Sequence, residues 1–285
     1  MRFAKMHGQG NDFIVAGGRD IVTEDLHGLS VRACDRHRGI GADGLIVIEE
    51  SGTCDFRMRI FNPDGSEPEM CGNGIRCAAK FFLERTAPER IRDVNRMAVS
   101  VETLAGARNI TADCRDGVVG EMTVNMGVPK LTPKEIPVIV ESDRAVGITF
   151  EAAGHKVTAT CVSMGNPHAV IFVEQDPFGM DISELGPAVE NHPLFPRRTN
   201  VEFVKVAGPG DLIMRVWERG AGETLACGTG ACATLAAAVL NGFSGRSAVV
   251  HLAGGDLNIE WRESGEVFMT GTASIVFDGV YDESD

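Results

Sequence analysis

The chain has 285 residues, 44% hydrophobic and 24% charged, a composition typical of a folded globular protein rather than a disordered one. Its length favours two domains. The net charge of -13 and the lack of a Lys/Arg cluster argue against a nucleic-acid partner, because phosphate binding requires a basic surface. The sequence has no apolar secretory signal and no uncharged run long enough to span a bilayer, so we expect a cytoplasmic protein without a membrane partner.

Short strands and two helices are predicted along the chain. Alternating hydrophobicity or β-branched residues predict strands at 45–49, 58–61, 118–124, 157–162, 213–217 and 257–261. Helices are predicted at 74–85 and 230–241; the second is apolar almost all round and so is expected to be buried on most sides. Asn241-Gly242 supplies a C-terminal stop for it. This pattern favours an α+β fold over a doubly wound sheet.

An internal repeat links the two predicted helices. The pattern C-G-x-G occurs at 71–74 and again at 227–230, a shift of 156 residues, and it directly precedes each helix. Glu67 and Glu223 stand four positions before the two cysteines, where a cap or backbone-pairing role in the turn explains them as well as a catalytic one. Such a shared spacing indicates a tandem duplication.

A second pair of landmarks supports the duplication. Gly10-Asn11 recurs as Gly165-Asn166 at a shift of 155 residues, and an apolar run follows each pair. We therefore expect two similar halves that pack face to face, each contributing one C-G-x-G element to a shared cleft. The boundary is expected near the turn-rich stretch at 126–129.

The two C-G-x-G elements suggest acid/base chemistry by Cys71 and Cys227. Glycines let the backbone turn tightly, and the N-terminus of the following helix binds anions and lowers the pKa of a cysteine placed there. Two such elements could hold a carboxylate with one sulfur on either side of the attached carbon. This arrangement suits removal of an α-proton by a thiolate and its return from the partner thiol, without an electron-sink cofactor.

The other cysteines are expected to be ordinary free thiols. The eight cysteines form no C-x-x-C pair, so we expect no structural metal site. A lone cysteine usually behaves as a small buried hydrophobe. This interpretation applies to Cys34, Cys54, Cys77, Cys114, Cys161 and Cys232.

Five motifs closely resemble those of the diaminopimelate epimerase family. They are G-Q-G-N-D-F (8–13), F-N-P-D-G-S-E-P-E-M-C-G-N-G-I-R-C (61–77), S-M-G-N-P-H-A-V (163–170), R-R-T-N-V-E-F-V (197–204) and W-E-R-G-A-G-E-T-L-A-C-G-T-G-A (217–231). The resemblance implies conversion of LL-diaminopimelate to the meso isomer in lysine and peptidoglycan precursor biosynthesis, with no pyridoxal phosphate or metal as cofactor.

The resemblance also implies a fold and an assembly. It implies two pseudo-symmetric domains, each a curved mixed β-sheet around a central helix. Residues 1–124 with 272–285 would form the half that carries Cys71, and residues 125–271 the half that carries Cys227, with the final strand near 274–277 returning to the first domain. Members of the family are commonly homodimers.

Site residues follow from the resemblance position by position. Cys71 and Cys227 would be the two bases, and His168 would either support a cysteine or make a structural hydrogen bond. Three of the binding asparagines are also common turn or cap residues. The implied substrate-binding residues are Asn11 and Glu218 for the reacting ammonium, Gly72, Asn73, Gly228 and Thr229 for the reacting carboxylate, and Asn62, Asn166, Asn200 and Arg219 for the distant end.

One departure and three alternatives accompany this interpretation. Several relatives carry glutamine in a G-x-G-x-D-Q segment, whereas this chain has Gly44, which offers no side chain to the substrate. Within the same fold, a proline or hydroxyproline racemase is the nearest alternative. A thiol redox protein that cycles through a disulfide, and an amino-acid-binding module without catalysis, are the alternatives from other classes.

Overall fold

A computed structural model describes residues 1–283. In chain order, its strands are β1 (Arg2–Gly8), β2 (Asn11–Gly17), β3 (Gly44–Glu49), β4 (Phe56–Phe61), β5 (Arg96–Thr103), β6 (Gly106–Arg115), β7 (Val118–Gly127), β8 (Ile148–Ala152), β9 (His155–Ser163), β10 (Pro167–Phe172), β11 (Asn200–Gly208), β12 (Asp211–Glu218), β13 (Gly222–Thr224), β14 (Ser247–Leu252), β15 (Gly255–Trp261), β16 (Val267–Gly271) and β17 (Ser274–Val280). The α-helices are α1 (Leu26–Cys34), α2 (Gly72–Phe81), α3 (Leu185–Glu190) and α4 (Gly228–Leu240).

This content of many strands and few helices confirms the predicted α+β class. All six predicted strands are present, and each extends beyond its predicted bounds at one or both ends. Within the described residues, no helix is long and apolar enough to cross a membrane.

The chain forms two compact units. Unit 1 comprises Met1–Val124 and the segment that begins at Thr270, and unit 2 comprises Asn125–Met269. The sequence placed residues 270 and 271 in the second half instead. In the structure, the hydroxyl oxygens of Thr270 and Thr123, both in unit 1, lie 2.7 Å apart.

Unit 1 is built on a mixed sheet. Its strands pair in the order β17, β1, β2, β3, β4, β5, β6 and β7, with parallel pairing at β2–β3 and β4–β5 and antiparallel pairing elsewhere. The final strand β17 pairs with β1, as the resemblance implied. Helix α2 packs on β1, β2, β3 and β4, and all ten of its residues are buried.

Unit 2 repeats the central part of this order. The pairing is parallel for β10–β11, antiparallel for β11–β12, parallel for β12–β14 and antiparallel for β14–β15. The strands from β2 to β6 alternate in the same way. The register repeats as well: Phe13 lies opposite Gly44 in one unit and His168 opposite Asn200 in the other. Helix α4 packs against six strands of unit 2 and is buried along most of its length, as predicted.

Both long helices begin inside the C-G-x-G motif rather than after it. Helices α2 and α4 start at Gly72 and Gly228, two residues earlier than the sequence predicted. Helix α2 also ends earlier than predicted, at Phe81, where a π-helical turn at Phe82–Thr86 follows. Helix α4 ends as predicted, because Gly242 adopts the left-handed conformation (φ 73°) that terminates many helices.

Candidate functional site

Each motif cysteine is the N-cap of its helix. Cys71 and Cys227 have extended backbones (φ -136° and -125°), and each Sγ accepts a hydrogen bond of 3.4 Å from the backbone amide of Gly74 or Gly230. The sulfur thus replaces the side-chain oxygen that usually caps a helix at this position. In each helix, two residues lie between the cysteine and the glycine whose amide it caps. The backbone N–H groups of these residues are the ones predicted to hold a carboxylate, namely those of Gly72, Asn73, Gly228 and Thr229.

Asn11 faces Cys71 in unit 1. It opens β2 directly after Gly10, whose φ of 80° requires glycine. Asn11 Nδ2 donates to Asp43 Oδ2 (2.8 Å), which leaves Oδ1 directed at Cys71 Sγ (3.8 Å) and Asn73 Nδ2 (3.4 Å). The amide orientation is thereby fixed with its acceptor towards the thiol.

Ion pairs between charged side chains stabilise the loop around Asn11. Asp12 forms ion pairs with Arg36 Nη2 (2.7 Å) and with Lys5 Nζ (2.7 Å). Arg36 Nη2 also forms an ion pair with Asp43 (2.7 Å). Burial opposes ionisation of Asp12, yet the hydrogen bonds from Arg36 and Lys5 lower its pKa to about 2. Asp12 therefore remains charged across the physiological range, and the ion pairs around it hold Asp43 in contact with Asn11.

A buried cation that the sequence analysis missed lies in helix α2. The side chain of Arg76 is fully buried and donates to Gly72 O (3.0 Å), to Asn73 Oδ1 (2.9 Å) and to Gln9 Oε1. These contacts fix the Asn73 side chain beside Asn11. The signal in the sequence was an arginine two positions after the motif, between Ile75 and Cys77.

Position 44 in unit 1 explains the departure from the family pattern. A Cβ atom at Gly44 would lie 2.9 Å from the backbone oxygen of Phe61. This glycine therefore allows close approach of two strands rather than leaving space for a lost side chain. Nearby, Asn62 Nδ2 donates to Ser66 Oγ (2.9 Å), which places Asn62 in the turn after β4.

In unit 2, several polar groups converge on Cys227. His168 Nδ1 lies 2.7 Å from Glu202 Oε1, and both side chains are fully buried. His168 Nε2 lies 3.1 Å from Asn166 Oδ1, and Asn166 Nδ2 donates to Thr229 Oγ1 (3.2 Å). Thr229 Oγ1 in turn lies 3.4 Å from Cys227 Sγ. The structure thus brings four predicted site residues together with Glu202, which the sequence analysis did not single out.

The pKa of Cys227 is raised, contrary to the lowering that the helix N-terminus predicted. Burial raises it first, and the negative charges of Glu218 and Glu202 raise it further, while hydrogen bonds from Thr229 and from the Gly230 amide lower it. Burial likewise raises the pKa of Glu218, which accepts hydrogen bonds from Thr224 and from the Cys227 thiol. The prediction failed because burial of the thiol, together with the negative charges of Glu218 and Glu202, outweighs the stabilisation of a thiolate by the helix N-terminus.

Asn200 and Arg219 are held together in unit 2. Asn200 Nδ2 donates to Pro167 O (2.8 Å) and Asn200 Oδ1 accepts the Arg219 amide (3.0 Å). The Arg219 side chain is exposed and donates to Arg197 O at 3.1 Å. Asn200 thus has a structural role in anchoring the turn that carries Arg219, and its predicted substrate contact stays a prediction.

A duplicated ion pair accounts for the repeated glutamates. Glu67 accepts two hydrogen bonds from Arg59 (2.8 and 2.9 Å), and Glu223 accepts two from Arg215 (2.6 and 2.8 Å). Glu223 also pairs through its backbone, since it lies in β13 opposite Trp217 of β12. Each glutamate anchors the segment before its cysteine to strand β4 or β12, and the arginine eight residues upstream in both halves was the sequence signal.

The two half-sites differ at equivalent positions. His168 and Glu202 in unit 2 correspond, at the 155- and 156-residue shifts, to Phe13 and Ile46 in unit 1. Phe13 and Ile46 are also buried, so the duplicated backbone is kept while a titratable pair stands where the other unit has an apolar pair. The two thiols therefore have different electrostatic surroundings.

Within the described residues, the remaining cysteines form no disulfide bond. Burial raises the pKa of Cys34, Cys77 and Cys161 to about 12, which leaves them protonated and unreactive. Cys54 is only half-buried, so its interpretation as a core residue is wrong. It lies in the connection between β3 and β4, where Ser51 Oγ accepts its amide.

One group among the described residues has the composition of a metal site. Ligand atoms of His168, Glu202 and Cys227 all lie within 4.8 Å of one another. A metal ion bound through His168 Nδ1 would have to replace the 2.7 Å contact to Glu202. The arrangement of His168 therefore fits hydrogen bonding to Glu202 better than metal coordination.

Comparison with known proteins identifies the family. The diaminopimelate epimerase family profile matches residues 3–132 and 160–276. A diaminopimelate epimerase from Pelotomaculum thermopropionicum is 51% identical over 285 residues, covering 99% of each chain. The chain belongs to the diaminopimelate epimerase family. A second member, from Desulfitobacterium hafniense, is 49% identical over 283 residues and 98% of each chain.

Solved structures show the same fold at low identity. A hydroxyproline epimerase from Agrobacterium vitis, with bound trans-4-hydroxy-L-proline, matches with a TM-score of 0.71 at 17% identity, covering 98% of this chain and 91% of that one. A probable proline racemase from Agrobacterium radiobacter has a TM-score of 0.74 at 17% identity, covering 99% and 93%. Both likenesses concern the fold, which the diaminopimelate epimerase family shares.

Proposed function

We propose that this chain epimerises LL-diaminopimelate to the meso isomer, with Cys71 and Cys227 as its acid/base groups and without a cofactor. One observation carries the proposal: in a chain 51% identical to a diaminopimelate epimerase, each cysteine caps a buried helix, and the arrangement recurs at a shift of 156 residues. The product would serve lysine and peptidoglycan precursor synthesis in the cytoplasm.

The helix N-termini supply the electrostatic part of the mechanism. As the α-carbon loses its proton, negative charge spreads onto the substrate carboxylate. The N–H groups at Gly72 and Asn73, and at Gly228 and Thr229, are fixed donors suited to that charge. Because they do not reorganise during the reaction, they stabilise the transition state more than the ground state.

The two cysteines remove and return the α-proton. One sulfur, as thiolate, removes the α-proton, and the other, as thiol, returns a proton to the opposite face; the roles reverse for the reverse reaction. The raised pKa of Cys227 is lowered when the substrate ammonium binds near Glu218, because its positive charge offsets the carboxylates that disfavour the thiolate. Substrate binding would thus ionise the thiol when it is needed.

The distant end of the substrate distinguishes the family activity from proline racemisation. Diaminopimelate carries a second amino-acid group, which needs both acceptors and a charged donor. The exposed Arg219, anchored by Asn200, and the half-buried Asn62 and Asn166 have the required chemistry. Proline has no such group, so this set favours diaminopimelate.

Proton exchange tests the proposal directly. Reduced protein is incubated with LL-diaminopimelate in deuterated water and followed by NMR, beside Cys71→Ala, Cys227→Ala and, as a matched control, Cys54→Ala. We expect deuterium at the α-position and the meso isomer from the wild type and the control, and neither from the two motif variants. If the α-proton of proline but not that of diaminopimelate is exchanged, the activity is that of a proline racemase. Binding of diaminopimelate without exchange of its α-proton would indicate a binding module.

We further propose that the chain forms a homodimer. Val276, Phe277 and Val280 on β17 are 58%, 49% and 80% exposed, an apolar surface that a second copy would cover. Sedimentation velocity on the wild type and on a Val276→Lys, Val280→Lys variant tests this proposal. A wild type that sediments as a monomer would refute it.

A further inference from the structure

The fully buried guanidinium of Arg76 begins a series of side-chain hydrogen bonds that ends at a carboxylate. Arg76 Nη2 donates to Asn73 Oδ1 (2.9 Å), and Asn73 Nδ2 donates to Asn11 Oδ1 (3.4 Å). Asn11 Nδ2 in turn donates to Asp43 Oδ2 (2.8 Å). These four residues, all in unit 1, form what we call the Arg76 network. The network passes beside a motif cysteine, because Asn11 Oδ1 lies 3.8 Å from Cys71 Sγ.

The two ends of the Arg76 network fix the direction of the bonds between them. An arginine side chain has N–H donors and no acceptor, so Asn73 must turn its carbonyl oxygen towards Arg76. Asp43, which forms an ion pair with Arg36, is a carboxylate with acceptors only, so Asn11 must turn its NH2 group towards it. The NH2 group of Asn73 then meets the oxygen of Asn11, and turning over either amide would break a contact at one end.

A further contact of Arg76 holds the turn that precedes Asn11. Gln9 Oε1 accepts a hydrogen bond from Arg76 Nη2, and Gln9 is buried. Gln9 and Gly10 form the two-residue connection between β1 and β2, and both have positive φ (49° and 80°). Such turns favour asparagine, aspartate or glycine at the first position, whereas a glutamine there reaches the interior with its longer side chain. Arg76 thus holds Asn11 from two directions, through Asn73 and through the preceding turn.

The duplicated fold does not require the charged ends of the network. At the 156-residue shift, Arg76 and Asp43 of unit 1 correspond to Cys232 and Thr199 of unit 2. Both of these uncharged residues are buried. Burial of an arginine carries a desolvation cost that a buried cysteine avoids. Since unit 2 keeps the corresponding helix with an uncharged residue, the buried arginine serves something other than the shared fold.

We propose that Arg76 is a positioning residue, which holds the Asn73 amide so that the Asn11 oxygen stays directed at the reacting centre beside Cys71. The proposal deepens the proposed function and rests on it for the identity of the substrate; the state of the two amides can be measured without substrate. Asn11 Oδ1 is an acceptor suited to the reacting ammonium. A displaced ammonium would move the α-hydrogen out of line with the sulfur, so Arg76 acts on the rate of proton removal more than on affinity.

Steady-state kinetics separate positioning from general support of the fold. We expect Arg76→Met to lower kcat for epimerisation by about 100-fold and to change KM by less than about 3-fold. Arg76→Lys keeps a side chain that only donates, and it is expected to lower kcat by about 10-fold. A rise in KM with an unchanged kcat would overturn the proposal.

Lys80→Met is the matched control for these variants. Lys80 is a second buried cation of helix α2, and it donates to Val119 O (2.7 Å) rather than to the network. Its loss removes a buried charge from the same helix, so we expect lower stability with kcat within about 2-fold of the wild-type value. Equal losses of kcat in Lys80→Met and Arg76→Met would mean that Arg76 only supports the fold.

Side-chain amide NMR detects the network without substrate. The signals of Asn11 and Asn73 in 15N-labelled protein are assigned by their loss in Asn11→Ala and Asn73→Ala. We expect the Asn11 signals to shift in Arg76→Met, although Asn73 lies between the two residues, and to stay in place in Lys80→Met. Asn11 signals that are unchanged in Arg76→Met would overturn the proposal.

A double variant shows how much of the effect passes through Asn73. In an Asn73→Ala background, Arg76→Met is expected to lower kcat by less than about 10-fold, because the contact that orients Asn11 is already lost. An undiminished loss would contradict the network. Should Arg76→Met fail to fold, Arg76→Lys undergoes the same measurements, and wild-type kcat with unshifted Asn11 signals would overturn the proposal.

The amide signals and the proton-exchange assay fail independently. If diaminopimelate is not exchanged but the Asn11 signals shift as expected, the proposed substrate is wrong and the structural part of the proposal stands. If exchange occurs and Arg76→Met retains both kcat and the Asn11 signals, the proposed function stands and the role of Arg76 is wrong.

Discussion

Gly230 packs against Glu202 so closely that a Cβ atom at position 230 would lie 2.7 Å from Glu202 Oε1. The same atom would lie 3.3 Å from the Cys227 sulfur. At the equivalent Gly74 the nearest atoms are terminal methyl groups of Ile46 and Ile60, at 3.1 and 3.2 Å, and these can rotate away. The two motif glycines therefore face different constraints.

The first prediction follows from this difference. We expect Gly230→Ala to lower kcat for epimerisation by about 100-fold, because displacement of the carboxylate and sulfur misplaces a reacting group. Gly74→Ala should lower it by less than about 10-fold, since only flexible methyl groups must move. Steady-state kinetics on both folded variants checks this, and equal losses would contradict it.

Acid stability should depend on Asp12. Its folded-state pKa of about 2 lies below the ordinary value of 3.8, so ionised Asp12 stabilises the fold above the ordinary value, and the contribution is lost as pH falls towards 2. We expect Asp12→Asn to lower the free energy of unfolding by about 2 kcal/mol at neutral pH, with the difference from wild type shrinking between about pH 4 and 2. Urea unfolding across this range measures it; a difference independent of pH would refute the charge argument.

The repeated ion pairs should contribute unequally. Glu67 is 16% exposed and Glu223 is 46% exposed, so solvent screens the second pair more. We expect Glu67→Gln to destabilise the protein by about 1–2 kcal/mol and Glu223→Gln by less than about 1 kcal/mol. Chemical denaturation compares the two variants, and a larger loss in Glu223→Gln would show that exposure does not set the order.

Restoring the family glutamine at position 44 should harm this chain. The Cβ of Gly44→Gln would press on the Phe61 carbonyl, which belongs to the neighbouring strand and cannot rotate away. We expect Gly44→Gln to lower the free energy of unfolding by about 1–3 kcal/mol and not to lower the KM for diaminopimelate. Gly44→Ala serves as the control, because it adds the same Cβ without the amide. A stable Gly44→Gln variant with a lower KM would show that the strands can separate.

The sequence was informative wherever a feature is local. The C-G-x-G pattern predicted both helices, and β-branched runs predicted six strands at nearly their observed positions. The helix starts were missed because capping by a sulfur depends on backbone conformation at the cysteine. The raised pKa of Cys227 was missed for another reason: it comes first from burial of the thiol, and Glu202 approaches Cys227 because helix α4 packs against β11.

The exchange of Phe13 for His168 between equivalent positions makes the duplicated halves non-interchangeable. A chain built from two copies of residues 125–269 would carry two buried His–Glu pairs, and both sulfurs would lie in the same surroundings. The present chain has that pair in one half and Phe13 with Ile46 at the equivalent positions of the other. Divergence after duplication thus gave one polypeptide two thiols whose surroundings differ in charge.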